Sequence, residues 1–243
     1  MMKRTIVLAL FLLGSLMLMG GCGATLMGGG HQASGAVVSR TFDVADFDSI
    51  SIGGSREIIF RQSDNVSVTV EQRESLFDIL EVYARGGTLH VYFRGNTGVF
   101  NTGTQRVYVY APSLEAANIS GSARATGWDA ISGDSFSLTA SGSTNVTIPI
   151  DVNNLEINTS GSSTVTLSGR ADTANISRSG SGSVNAFDVQ IQDATVQSSG
   201  SSRVNVSVSD SLTATSSGSS RVRYQGNPSV TVSTSGSSSV RAD

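Results

Sequence analysis

The only thiol in the chain, Cys22, sits where it has chemistry to do. It follows Leu18-Met19-Gly20-Gly21, small residues at the end of an apolar run, as in a lipobox whose cysteine sulfur accepts a diacylglycerol. The same residues also allow an ordinary signal peptide cleaved near Gly21, with Cys22 left as a free or buried thiol. A lone cysteine sent to an oxidising compartment has no disulfide partner, which favours lipidation. Met19 and Gly20 stand where Leu and Ala or Ser are usual in such a motif.

Other reactive types are scattered. His31 and His90 are the two histidines, and neither has a second ligand nearby in sequence, so no metal site is expected. Serine is abundant, yet no Gly-x-Ser-x-Gly elbow stands on a strand-to-helix turn with His and Asp partners. A carbohydrate-active site would need carboxylates gathered on one face. The acids after Pro112 (Glu115, Asp129, Asp134, Asp151, Glu156, Asp172, Asp188, Asp193, Asp210 and Asp243) read as solvated charges in the connections between strands, not as one column. No catalytic residue and no cofactor is expected, and a carbohydrate-active enzyme is the weakest reading. Arg203, Arg221, Arg223 and Arg241, with Asp243, are the one basic grouping. They either guard exposed strands against edge-to-edge pairing or form a polar face for glycans, envelope polymers or another protein.

Behind these residues stand the elements that must place them. Lys3 and Arg4 precede an apolar and small-residue run from Ile6 to Met19, 14 residues long, the length of a signal-peptide core and short for a membrane span. Residues 1–21 are thus expected to be a lipoprotein signal peptide and 22–39, with Gly28-Gly29-Gly30, a flexible tether. Lipid chains on Cys22 would hold the chain to a membrane. In a Gram-negative cell Gly23 would not act as the inner-membrane retention signal that Asp gives there; by itself it does not settle which membrane holds the chain, and the outer membrane is the expectation. Losing Lys3 and Arg4 takes the formal charge from −3 to −5 and leaves no lysine, so a nucleic-acid partner is not expected. Charged residues at 14%, 27 glycines and 38% hydrophobic residues indicate a β-rich, turn-rich fold, too apolar for a disordered chain.

The main signal is a repeat. Ser-Gly-Ser recurs with its glycine at Gly121, Gly142, Gly161, Gly180, Gly200, Gly218 and Gly236, at intervals of 21, 19, 19, 20, 18 and 18 residues. Four residues after each glycine stand Ala125, Val146, Val165, Val184, Val204, Val222 and Val240. Six and four before it stand pairs such as Leu155 and Ile157, or Leu212 and Ala214. Both flanks alternate with period two, so each copy holds two short strands with one buried face. A unit of this size cannot bury that face alone. Stacked as coils about 4.8 Å apart, seven copies give a rod on the order of 30 Å long, with Ser-Gly-Ser at a corner. A sandwich or propeller with Ser-Gly hairpins is the alternative. Hairpins do not demand the same residue in the same column of every strand pair.

Residues 40–112 are richer in charge and aromatics. Ser49–Phe60, Val66–Glu71, Thr88–Arg94 and Gln105–Tyr110 read as strands, and Leu76, Ile79, Leu80 and Tyr83 suggest one or two helical turns over Glu74–Tyr83. Gly53-Gly54-Ser55 resembles the later corners, so this region is either a cap of degenerate early coils or a separate domain. Residues 113–243 form the repeat solenoid.

Several of these features occur together in a known family. The lipobox, Phe42-Asp43-Val44-Ala45-Asp46-Phe47-Asp48-Ser49-Ile50, Thr88-Leu89-His90-Val91, and Pro112-Ser113-Leu114-Glu115 leading into Ile119-Ser120-Gly121-Ser122 resemble the head GIN domain family of putative autotransporter adhesins. The resemblance runs from Phe42 to the C-terminus and implies an all-β, right-handed parallel β-helix in secreted or lipid-anchored envelope proteins, with adhesion as the suggested role. The sequence stops at Asp243 within its last repeat, so the autotransporter part of the family name is not expected to transfer. The expectation is a non-catalytic, lipid-anchored surface module binding a glycan or envelope protein, self-associating through the C-terminal end of the solenoid. A periplasm-facing structural or envelope-stress lipoprotein is the alternative.

Overall fold

The computed structural model describes residues 30–95 and 98–243; the expected signal peptide, Cys22 and the first part of the expected tether lie outside the described residues. The rest of that tether is corrected: His31–Gln32 pairs with Val99–Phe100 and Val37–Phe42 is a strand on Ser67–Arg73, because these residues find ladder partners. From Ala116 onward the backbone follows the alternation. In the strand Asn145–Thr159, Val146, Ile148, Ile150 and Val152 point inward, Asn153 and Asn154 both face solvent, and Leu155, Ile157 and Thr159 point inward again. Two outward residues in succession break the period of two, which lets a strand turn a corner while staying in its ladder. Each coil therefore turns both at its glycine and at such an outward pair.

Neighbouring coils pair in parallel and in register, with Val146 on Val165, Leu155 on Ala174 and Ile157 on Ile176. Hairpin sandwiches and propellers pair successive strands antiparallel, so this pairing decides for the solenoid. Val146, Val165, Val184, Val204 and Val222 form one column, each fully buried. Burying a side chain of that size contributes about 1.5–3 kcal/mol, and the column repeats the gain coil after coil. The unequal repeat intervals are absorbed away from the glycine corner. Register shifts occur between Thr166 and Ser168, between Ala186 and Gln190, and between Ile191 and Asp193, while Val184 on Val204 and Val196 on Ala214 keep the coil in step.

The N-terminal region stacks out of sequence order. Ser49–Ile52 pairs on one side with Ala116–Ile119 and on the other with Thr88–Phe93. Glu57–Gln62 likewise lies between Arg124–Ala125 and Arg106–Ala111. Residues 49–62 are thus a coil between the first Ser-Gly-Ser coil and a layer built from later residues, and Gly53-Gly54 divides what reads in sequence as one strand. Antiparallel strands finish that end: Val37–Phe42 on Ser67–Arg73, Ser67–Arg73 on Arg106–Ala111, and Leu80–Arg85 on Thr88–Phe93. Trp128 pins the next coil to this one, its indole Nε1 donating to Ile58 O at 2.7 Å while its ring meets Phe60.

Of the one or two helical turns expected over Glu74–Tyr83, the structure has a 3-10 segment, Glu74–Asp78, and the remainder is corrected to the strand Leu80–Arg85. Gly86 and Gly87, at φ 58° and 77°, form the two-residue turn that folds this strand back on Thr88–Phe93. That turn requires positive φ at both positions, which Gly-Gly supplies, and cross-strand pairing prevails over helical spacing.

Candidate binding face at the glycine corner

Every glycine of the Ser-Gly-Ser column has positive φ. Gly142 shows the second constraint: a Cβ there would lie 2.4 Å from Gly121 O. The corner backbones stack too closely for any side chain. Ser143 N donates to Gly121 O at 2.8 Å and Ser162 N to Gly142 O at 2.8 Å, so the amide after each glycine ties one coil to the last.

The flanking serines divide by position. Those two residues after the glycine point inward, and Ser163, Ser202, Ser220 and Ser238 each donate to the carbonyl three residues earlier, at 2.8–3.0 Å. Ser198 with Ser202 and Ser216 with Ser220 also bond across the inside of their corners at 2.7 Å. Serines adjacent to the glycine face outward and line two grooves along the rod. One, of about 440 Å³, has Ser160, Ser179, Ser199 and Ser217 on one wall and Thr139, Asn158, Ser177, Gln197 and Thr215 on the other. The second, of about 290 Å³, sets Ser162, Ser181, Ser201 and Ser219 against Thr164, Ser183, Arg203 and Arg221. Arg203 stacks on Arg221, and Arg223 on Arg241.

One corner departs from the pattern in a way the sequence reading missed. Arg178 occupies the inward position held elsewhere by Thr159, Ser198 and Ser216, and is 2% exposed. Its Nη1 donates to Ser179 O and its Nη2 to Gly161 O at 2.9 Å, and burial pushes the guanidinium below the ordinary arginine range. Gly182 makes the room: a Cβ there would lie 2.1 Å from Arg178 Nη2 and 1.8 Å from Ser163 O. The signal was present as an Arg and a Gly appearing together at two positions that, after Ile119 in the first copy, are otherwise small or hydroxylic. Arg56, two residues after the corner Gly54, is a second inward arginine, lying 4.3 Å over the Phe93 ring and lowered to about 10 by burial.

His31 Nε2 lies 3.1 Å from Ser75 O, and His90 lies against Tyr83 with ring centroids 5.1 Å apart. Among the described residues no three His, Cys, Asp or Glu side chains gather as a metal site would require. The acids are more ordered than their sequence reading. Asp134, Asn153, Asp172 and Gln192 each stand between paired residues of successive coils at the outward corner, with Asn153 Nδ2 donating to Asp134 at 2.9 Å and Gln192 Nε2 to Asp172 at 3.2 Å. Amides separate the carboxylates, so like charges do not stack. Near the N-terminal layer, Arg106 bridges Glu57 at 2.9 Å and Glu71 at 2.6 Å, and these partners raise its pKa.

The family model described as "Putative auto-transporter adhesin, head GIN domain" matches residues 46–228. The fold is similar to that of a putative adhesin from Bacteroides fragilis, 20% identical, with a TM-score of 0.84 over 88% of this chain and 100% of that one. A putative lipid binding protein from Parabacteroides distasonis is 24% identical, with a TM-score of 0.72 over 87% of this chain and 98% of that one. A putative adhesin from Parabacteroides merdae gives 20% and 0.71 over 87% and 98%. No curated protein matches.

Proposed function

This chain belongs to the family of putative auto-transporter adhesin head GIN domains, and from that premise we propose that it is a non-catalytic binding module displayed on the bacterial envelope by a lipid on Cys22. The observation that supports the reading most is the pair of serine-walled grooves beside the glycine corner. Each coil offers the same hydroxyls about 4.8 Å further along a rigid rod, an arrangement suited to an extended glycan or envelope protein. The stacked Val, Leu and Ile columns are buried inside the rod, so a ligand of this chain would lie on its surface. The anchor is supported by the lipobox residues, and the Gly-rich tether after Cys22 would give the rod reach.

Protease treatment of intact cells tests display. The expected result is loss of the chain while a periplasmic marker survives; survival of both would instead favour a periplasm-facing structural lipoprotein. Cys22→Ser is expected to move the chain from the membrane fraction to the soluble fraction. A variant that stays with the membrane would exclude the lipid anchor.

A further inference from the structure

On the reading of this chain as a surface binding module, we infer that the arginine end of the second groove binds an acidic polysaccharide, a sugar polymer bearing carboxylate or sulfate groups. Arg203 and Arg221 are direct partners on adjacent strands, and Arg223 and Arg241 are direct partners one step further. With strands about 4.8 Å apart, four guanidinium groups leave one outward face within three coils. Arg203, Arg221 and Arg241 are exposed and make no ion pair among the described residues, whereas Arg223 reaches Asp243 at 3.3 Å. This concentration occurs in a chain whose formal charge is −3.

Stability gives no reason for the arrangement, because like charges set directly opposite weaken a sheet. Protection of an outer edge gives none for Arg203 or Arg221, whose strands are paired on both sides. An anionic partner accounts for the unpaired Arg203, Arg221 and Arg241, while Arg223 already has Asp243. Its shape follows from the groove, which runs across the strands along the rod, past Ser181, Ser201 and Ser219 to Arg221. An extended polymer fits that line better than the flat plane of a membrane. Serine hydroxyls can pair with sugar hydroxyls, and the planar guanidinium fork grips a carboxylate or sulfate through two bonds. The groove offers no aromatic ring on which a nucleic-acid base could stack.

The test is a titration of the full chain carrying Cys22→Ser, which keeps it free of lipid. Polygalacturonate, neutral dextran, and vesicles of phosphatidylglycerol in phosphatidylcholine serve as probes. Polygalacturonate is expected to bind, to weaken as salt is raised, and to exceed dextran by about tenfold or more. Replacing Arg203, Arg221 and Arg241 together by Gln is expected to cost about tenfold or more in polygalacturonate affinity. The same replacement should leave thermal unfolding unchanged or raised, because stacked like charges are removed. The triple Lys variant, which keeps charge without the fork, should fall between. Failure of polygalacturonate to bind, or equal binding by the Gln variant, overturns the inference. Vesicles that bind through the same arginines more tightly than the polymer overturn it in favour of a lipid headgroup. Protease resistance on intact cells would count against surface display alone, since the titration uses purified chain.

Discussion

At the scale of single residues the most informative pair is Arg178 with Gly182. A buried guanidinium held by carbonyls, with no ion pair among the described residues, replaces the Ser–Ser contact found at 198 with 202 and at 216 with 220. Gly182→Ser alone should be strongly destabilising, because its Cβ would meet both Arg178 Nη2 and Ser163 O. If the arginine is what has displaced this corner, Arg178→Ser in the same chain should recover most of the loss. The expected coupling is about 1–3 kcal/mol by urea denaturation of the four-member cycle. Strict additivity of the two changes would show that Gly182 answers to the backbone alone.

At the scale of the element, the outward corner shows how a solenoid handles stacked charge. Side chains there follow one another from coil to coil, so an acidic column would repel itself. Asn153 and Gln192 interrupt the carboxylates of Asp134 and Asp172 and donate to them. Asn153→Asp should therefore cost about 0.5–1 kcal/mol in low salt, with the loss shrinking as salt is added. Thermal unfolding at two ionic strengths checks this, and a loss indifferent to salt would point to the missing hydrogen bond rather than to charge. The glycine corner is constrained differently, by backbone distance, and tolerates no such exchange of side chains.

For the whole molecule, each coil meets only the coils before and after it, so damage should depend on where it falls. Gly161→Ala would drive a Cβ to 2.6 Å from Gly142 O in the middle of the stack, whereas at Gly236 the distance to Gly218 O is 2.9 Å in the last coil. Gly161→Ala is expected to lower the global unfolding midpoint, by about 2 kcal/mol or more. Gly236→Ala should instead loosen the last coil, seen as faster amide exchange over Ser229–Ala242 with a smaller change in midpoint. Equal effects of the two would mean that the rod unfolds as a single unit. The same architecture gives the proposed ligand face its rigidity, because the grooves are made by side chains on paired strands rather than on loops.

How much of this was legible in the sequence depended on whether the pattern was local or long-range. The seven corner glycines and the alternating columns favour the solenoid over hairpin folds and mark its core, since a stack of near-identical coils needs the same residue types in the same places, and the parallel pairing then decided it. Arg203, Arg221, Arg223 and Arg241 could be grouped from their offsets to those glycines, and the structure set them in paired positions on one face. Three things needed the tertiary structure. The order of layers at the N-terminal end is not the order of the chain, because residues 88–111 return past residues 49–62, and nothing local announces a return. Leu80–Arg85 became a strand because Gly86-Gly87 brought it a partner, which outweighed its helical spacing. Arg178 turned inward because Gly182 left it space, a contact between an exception and its neighbour that a repeat pattern hides.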